Sequence, residues 1–465
     1  MTFPRSRTVW FTVLALIGVE LCSWFAYTNP TAEMSVTVFM TLTSFLIAWR
    51  RPTWLLFIGV AELVIGSKGY LFYLDMGTVT VSIRMIIFLA TLVATVFSEL
   101  RSWDRLRKSV ISTPLLLLCG WLIVSVGIAL IRGNGVSVVY TDVNAFVYLA
   151  LLPAWWLLAT RDSHWRERIL SVLAAGAMVI GIKSWIVVML FGQNIAGLPE
   201  LYRWIRNTGV GEITYINSNV YRVFFQSQIY SALMFMFGLV IACRTNVPRW
   251  WYVMLAASAM GVYISLSRSA WLGIGVACGI GIAIVLYRRQ WAVLRRSWIV
   301  IPLGIIAWMM MTWALSFPYF SLSGGRSSAV ASRFNGADSA SASTSRTNQI
   351  RPLLQAIARH PIIGSGFGTM VTYRSADPRS PGMRTTTAFE LGYLDLLVKI
   401  GLAGVLLYGW WIYIIQRTGK QSPWYPGFMF ATLTLMIVHT TSPYLNHPLG
   451  LGWLMIFSLY AYDRT

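Results

Sequence analysis

Ser265-Leu266-Ser267-Arg268-Ser269-Ala270-Trp271-Leu272-Gly273 joins two apolar runs, residues 250–266 and 270–287. Each run approaches the roughly 20 apolar residues that cross a bilayer as a helix. Only a few polar residues separate them, so the pair reads as a helical hairpin with an arginine at its turn. A soluble hairpin would need a polar face on each arm, and neither arm has one. The stretch therefore places the chain in a membrane.

The whole sequence repeats that reading. Hydrophobic residues make up 57% of 465 and charged residues only 11%, against about 25% in soluble domains. So few charges exclude a soluble globular protein, and so much apolar bulk excludes intrinsic disorder. Candidate spans cover residues 9–27, 34–49, 53–73, 81–99, 113–131, 143–160, 169–191, 226–243, 250–266, 270–287, 298–317, 390–415, 426–441 and 448–462. The expectation is an all-α, polytopic integral membrane protein with about 12–14 transmembrane helices, fourteen favoured, forming a single domain over residues 1–465. Only Arg50-Arg51-Pro52 parts the second span from the third. A GxxxG at Gly275 and Gly279 reads as helix packing, and Trp pairs near span ends (Trp155-Trp156, Trp250-Trp251, Trp410-Trp411) read as an interfacial belt.

Charge sets the orientation. The net charge is 37 − 16 = +21, and alternate short loops collect the arginines: Arg50/Arg51, Arg101/Arg105/Arg107, Arg161/Arg166/Arg168, Arg244/Arg249, Arg288/Arg289/Arg295/Arg296. By the positive-inside rule these loops and both termini face the cytoplasm. No cleavage-site pattern precedes the first span, so it is expected to be retained. The four cysteines (Cys22, Cys119, Cys243, Cys278) lie in apolar runs without metal-ligand spacing and read as core residues. No nucleic-acid-binding pattern is present.

Two outer segments break the run of short connections, residues 192–225 and 318–389. The second is expected to be a large basic outer loop with short helices. It carries Arg326, Arg333, Arg346, Arg351, Arg359, Arg374, Arg379 and Arg384 against Asp338 and Asp377, which suits an anionic ligand. Its stretches 321–325 and 339–343 are rich in Ser, Gly and Ala and read as flexible. From Thr347 to His360 the apolar residues Ile350, Leu353, Leu354 and Ile357 recur at helix spacing, and Pro361 ends the helix.

Four motifs carry chemistry: Asn217-Ser218-Asn219-Val220-Tyr221-Arg222-Val223-Phe224; the Ser265–Gly273 turn; His360-Pro361-Ile362-Ile363-Gly364-Ser365-Gly366-Phe367-Gly368; and Glu390-Leu391-Gly392-Tyr393-Leu394-Asp395, followed by Gly401-Leu402-Ala403-Gly404. The glycine-rich loop lacks the Lys-Ser/Thr of a P-loop and reads as a turn permitting close backbone approach. Arg268 and Arg222 stand at the outer ends of spans, where a guanidinium can grip phosphate oxygens. Glu390 opens a late helix and can accept a hydroxyl proton. Asp395 and Lys399, four apart, read as a structural pair. Glu20, Glu62 and Lys183 are candidate charges within the membrane.

In order and in membrane side, these motifs resemble the O-antigen ligase/polymerase superfamily of membrane glycosyltransferases, over residues 210–455. The resemblance implies a polyprenyl-pyrophosphate-linked oligosaccharide as donor, used at the periplasmic face of the bacterial inner membrane with no cofactor and no metal. It implies catalytic roles for Arg222, Arg268 and Glu390. Arg203, Arg206, Arg346, Arg351, His360 and Tyr393 are the further substrate-binding candidates. Ligases typically carry His-Asn where this chain has Glu390-Leu391, which favours an O-antigen or exopolysaccharide repeat-unit polymerase. The expected partners are membrane lipid, a chain-length regulator and a flippase. The alternatives are a ligase transferring to another acceptor and, from a different class, a polysaccharide or lipid transporter, which would place ionisable residues near the midplane on broken helices.

Overall fold

The computed structural model describes residues 1–77, 80–99, 112–195, 197–217, 220–316, 337–376 and 381–462. In chain order the described helices are α1 (Ser6–Thr28), α2 (Pro30–Arg50), α3 (Trp54–Gly66), α4 (Ile83–Glu99), α5 (Ser112–Ile131), α6 (Val136–Val147), α7 (Leu151–Ala159), α8 (Trp165–Gly192), α9 (Leu198–Asn207), α10 (Gln228–Arg244), α11 (Arg249–Ser265), α12 (Arg268–Tyr287), α13 (Trp291–Ser297), α14 (Val300–Ser316), α15 (Ala337–Arg359), α16 (Gly392–Gly419), α17 (Tyr425–His439) and α18 (Pro448–Tyr462). Antiparallel two-stranded hairpins are formed by β1 (Tyr73–Asp75) with β2 (Thr80–Ser82), β3 (Gly211–Asn217) with β4 (Val220–Phe225), and β5 (Val371–Ser375) with β6 (Gly382–Thr386). The architecture is helical, as expected, with three small hairpins that hydropathy did not disclose.

Each apolar run named above contains helix, but 53–73 is helical only over Trp54–Gly66 before the chain turns into β1, and 143–160 is divided between α6 and α7. Among the described residues eight helical segments are long and apolar enough to cross a membrane, among them Ser6–Thr28, Trp165–Gly192, Arg268–Tyr287 and Gly392–Gly419, with α6 and α7 forming one such segment and α13 and α14 another. The helices of the remaining apolar runs are shorter, from the 13 residues of α3 to the 17 of α10 and α11. Helices close their own backbone hydrogen bonds, which is the condition for sitting in hydrocarbon.

Two compact units divide the chain: one of Met1–Leu100, Pro153–Ala329 and Pro426–Thr434, the other of Arg101–Leu152, Val330–Tyr425 and Leu435–Thr465. In the first, α8 is the central element, with both its faces largely buried. Helix α11 crosses it closely: a Cβ on Gly181 would lie 2.1 Å from the Ala257 carbonyl oxygen, so a larger residue there forces the helices apart. The amphipathic α9 docks on α1 through Trp204, whose Nε1 donates to Ser23 Oγ at 3.1 Å. Gly275 and Gly279 correct the packing expectation, since a Cβ on either meets nothing within 4 Å. The aromatic-belt reading is corrected in part: Trp155, Trp250, Trp251 and Trp411 are buried, while Trp156 is half-buried and Trp410 is 39% exposed.

The charges inside apolar runs find partners. Lys183 Nζ lies 2.6 Å from Glu20 Oε1, and Arg84 Nε 2.7 Å from Glu62 Oε2. Arg84 also donates to the Ser67 carbonyl at 2.8 Å. These are the residues a transporter reading would use, and the pairing gives them a structural role. Breaking a buried pair by removing one member typically costs about 3–5 kcal/mol, whereas an apolar replacement of both is often neutral. Lys183→Met should therefore lower the melting temperature in detergent, and Glu20→Met added to it should restore most of the loss. A double variant no better than the single would show that the pair has a further role.

In the second unit, α15 begins at Ala337 and already includes residues 339–343, so the stretch read as flexible is helical. Alanine is the best helix former, and alternating serines are tolerated when the turns that follow are anchored. The anchored face differs from the one expected. Leu353 is fully buried with Ala356 and Ile357 against Val371, Phe389 and Val398, while Ile350 and Leu354 are 40% and 50% exposed. Polar residues anchor the helix as well: buried Ser345 Oγ accepts the Ala376 N–H at 2.8 Å, and the half-buried Asn348 Nδ2 donates to the Arg374 carbonyl at 2.9 Å. Residues 321–325, Arg326, Arg333, Asp377 and Arg379 lie outside the described residues.

Candidate functional site

The first unit builds an arginine turn. Helix α11 stops at Ser265 because Leu266 takes a left-handed conformation, φ 46° and ψ 34°. That conformation is costly for a side-chain-bearing residue, and burial of Leu266 to 2% exposure holds it. Ser265 Oγ then accepts the Ser267 N–H at 3.2 Å, and the Ser267 and Ser269 hydroxyls lie 3.0 Å apart. Arg268 is the first residue of α12, and Ser267 at its N-cap makes no side-chain cap hydrogen bond. The amides of that first turn and the positive end of the helix dipole favour an anion.

Arg222, on β4, reaches the same turn. Its Nε donates to the Ser265 carbonyl at 3.0 Å, and its guanidinium carbon sits 4.7 Å from the centre of the Phe224 ring. The two arginines singled out in the sequence are thus joined to one turn, though 46 positions separate them (268 − 222). Both are half-buried. Ser265 and Phe224, members of the same two motifs, are the residues that Arg222 touches there. Ser218 and Asn219 of the first motif lie outside the described residues.

Arg203 and Arg206 are engaged on their own helix, α9. Arg203 pairs with Glu200 at 2.9 Å, and Arg206 donates to the Tyr202 hydroxyl at 3.3 Å. No described contact draws either of them to the arginine turn.

The second unit presents Glu390 just ahead of α16. Its Oε2 accepts from Arg346 Nε on α15 at 2.6 Å, and its backbone N–H donates to Gln349 Oε1 at 3.3 Å. Gln349 is 1% exposed, so the backbone at Glu390 is pinned from inside. The Glu390 side chain itself is 49% exposed, which leaves the carboxylate accessible. Arg351 is exposed on α15, and His360 is half-buried at its end, with its carbonyl accepting the Gly364 N–H at 3.0 Å. The Tyr393 hydroxyl is spent on the Met436 carbonyl at 2.9 Å, and its ring meets His439 edge-on at 4.7 Å. Of the second unit's candidates, Arg346 and Glu390 are brought together; Arg351, His360 and Tyr393 have no described contact with them.

Behind Glu390, α16 is broken at Gly401, with φ 63° and ψ −176°. The glycine-rich loop docks into the break. Ser365 and Gly366 N–H groups donate to the Val398 and Lys399 carbonyls at 2.6 and 3.1 Å, while Leu402 and Ala403 N–H groups donate to Pro361 and Ile362 at 2.9 and 3.0 Å. Trp121 Nε1 and Ser125 Oγ on α5 donate to the Ile400 and Lys399 carbonyls, both at 2.8 Å. A broken membrane helix survives where its freed groups are satisfied in this way. Beside the break, Lys399 Nζ lies 2.7 Å from Asp395 and 2.5 Å from Asp142. Asp142 Oδ2 accepts the Gly368 N–H at 2.8 Å, and Asn446 hydrogen-bonds Asp395. The Asp395–Lys399 pair was legible from its spacing; Asp142 and Asn446 were not.

No group of three or more His, Cys, Asp or Glu among the described residues is placed to hold a metal ion. Residues 251–409 match the family model described as O-Antigen ligase. That segment holds the Ser265–Gly273 turn, the glycine-rich loop and the Glu390 motif, and it supports the O-antigen ligase/polymerase superfamily. Arg222 lies outside it. No curated protein and no solved structure matches the chain.

Proposed function

We propose, from the O-antigen ligase/polymerase superfamily that residues 251–409 support, that this chain is a bacterial inner-membrane glycosyltransferase. It polymerises polyprenyl-pyrophosphate-linked oligosaccharide repeat units at the periplasmic face without a metal. The observation that carries the reading is the arginine turn, where Arg222 is tied by its Nε to the turn that bears Arg268 at a helix N-terminus.

In the reaction an acceptor hydroxyl oxygen attacks the anomeric carbon of the donor. The bond from that carbon to the pyrophosphate oxygen breaks, and its electron pair leaves on the pyrophosphate. Guanidiniums and helix-end amides stabilise the charge that develops there, and such preorganised donors act most strongly where water is excluded. The hydroxyl proton goes to a base, which we assign to Glu390. Its ion pair with Arg346 is half-exposed and weak, so the carboxylate can exchange partners when an acceptor binds. Glu390-Leu391 in place of the ligases' His-Asn favours polymerisation over transfer to a different acceptor.

The test is purified protein in lipid with a purified lipid-linked repeat unit. A ladder of lengthening products is expected. A single transfer to an added acceptor would favour the ligase reading, and movement of donor across the bilayer without new glycosidic bonds would remove the enzyme reading. Glu390→Gln should lower turnover on the order of 100-fold, the low end of general-base contributions. Turnover near that of the unaltered protein, with its pH dependence intact, would withdraw Glu390 as the base.

A further inference from the structure

An apolar cavity of about 300 Å³ opens between α10, α12 and α13. Leu239, Cys243, Ile282, Val285, Val293 and Leu294 line it, and Arg244 stands in its wall. The lining residues of α12 run from Ala277 to Val285. At 1.5 Å per residue they lie roughly 13 to 25 Å along the helix from Arg268, so the groove is separate from the arginine turn.

The end of the groove is strongly basic. Arg244 closes α10, Arg288 and Arg289 follow α12, and Arg295 and Arg296 close α13. All five are exposed, and among the described residues none is ion-paired. Local carboxylates cannot supply the balance, because residues 213–337 contain no Asp and no Glu. Arg295 and Arg296 lie on α13 between Leu294 and Ser297, both of which line the groove. Setting topology requires only that arginines be present in a short loop. It does not require one of them to stand in the wall of an apolar groove, with the others on the helix ends that flank it.

We propose that this groove binds an anionic membrane phospholipid, with an acyl chain against α10 and α12 and its phosphate held by Arg244 and Arg296. An apolar channel flanked by exposed guanidiniums matches that amphiphile at both ends. Bound lipid stabilises the folded state by mass action.

The experiment uses the full chain, delipidated in neutral detergent. Dioleoyl phosphatidylglycerol and dioleoyl phosphatidylcholine are added in turn, and retained lipid is counted by native mass spectrometry alongside thermal unfolding. Retention of the glycerol lipid is expected to exceed that of the choline lipid at least about tenfold, with a rise in melting temperature of a few degrees, about 1.4 kcal/mol of discrimination. Arg244→Gln/Arg296→Gln, which alters exposed side chains only, should abolish the preference. Gly281→Leu, which narrows the groove beside Phe430, should weaken retention of both lipids. Equal retention of the two lipids, or a preference that survives the double Arg variant, overturns the proposal. So does equal protection by glycerol phosphate, which has the head group and no chain.

Discussion

Arg222→Ala and Arg268→Ala should each cut product formation by about 100- to 1000-fold, the loss typical when one preorganised donor to a developing negative charge is removed. The double variant should fall below detection. The effect is expected on turnover more than on donor binding, because the pyrophosphate gains negative charge only as the glycosidic bond breaks. Arg222 also ties β4 to the Ser265 carbonyl and lies over the Phe224 ring, so its alanine variant loses that hydrogen bond, a net of about 1 kcal/mol, together with the ring contact. Lysine at either position separates the contributions. It restores a point charge and not the planar fork, so Arg268→Lys should recover charge-dependent binding while leaving most of the turnover defect. The measurement is the rate of ladder formation set beside the melting temperature of each variant. Normal ladders from either alanine variant would remove pyrophosphate binding from the turn.

What the sequence disclosed, and what it withheld, divides along a physical line. Apolar length is a local property, and every run read from hydropathy contains helix, although 53–73 keeps it only to Gly66. The turn at Ser265–Gly273 was legible because polar residues between two apolar runs have few places to go. Distant pairings carry no such signal. The Arg222–Ser265 bond spans 43 positions and the Lys399–Asp142 pair 257, and only the fold joins them. Glu20, Glu62 and Lys183 were visible as charges in apolar runs, but the sequence could not say that Lys183 would take Glu20 and Arg84 would take Glu62. Residues 339–343 misled because composition describes a stretch in isolation, while a helix propagates from wherever packing anchors it. On α15 the helical period was right and the phase was wrong. Ser345 and Gln349 share the buried face with Leu353, and polar residues that bury because they hydrogen-bond do not register as apolar.

The glycine-rich loop shows both sides of that line, and it carries the largest expected effect on folding. Its glycines indicated close backbone approach, without indicating what they approach. The structure supplies the answer: the break in α16. A Cβ on Gly401 would stand 2.3 Å from the Ile362 carbonyl oxygen and 2.4 Å from the Gly364 nitrogen. A Cβ on Gly364, at φ 76°, would stand 2.5 Å from the Gly401 nitrogen and 2.7 Å from the Lys399 oxygen. These neighbours are backbone and cannot rotate away. Alanine at either position must therefore push loop and helix apart, beyond the roughly 1–2 kcal/mol that left-handed geometry costs it. Separation frees the four loop–helix hydrogen bonds between 361–366 and 398–403. Buried groups left unpaired cost about 1–3 kcal/mol each, so the sum rivals the whole stability of a domain, about 5–15 kcal/mol. Gly401→Ala and Gly364→Ala should accordingly yield little or no monodisperse protein on size exclusion in detergent. Gly409, on the same helix, is the control, since a Cβ there would meet nothing within 4 Å. Gly409→Ala should fold normally and gain up to about 1 kcal/mol from helix propensity. A Gly401→Ala protein that purified and melted like its Gly409→Ala counterpart would mean that the loop does not hold the broken helix, and that α16 runs through Gly401 unassisted.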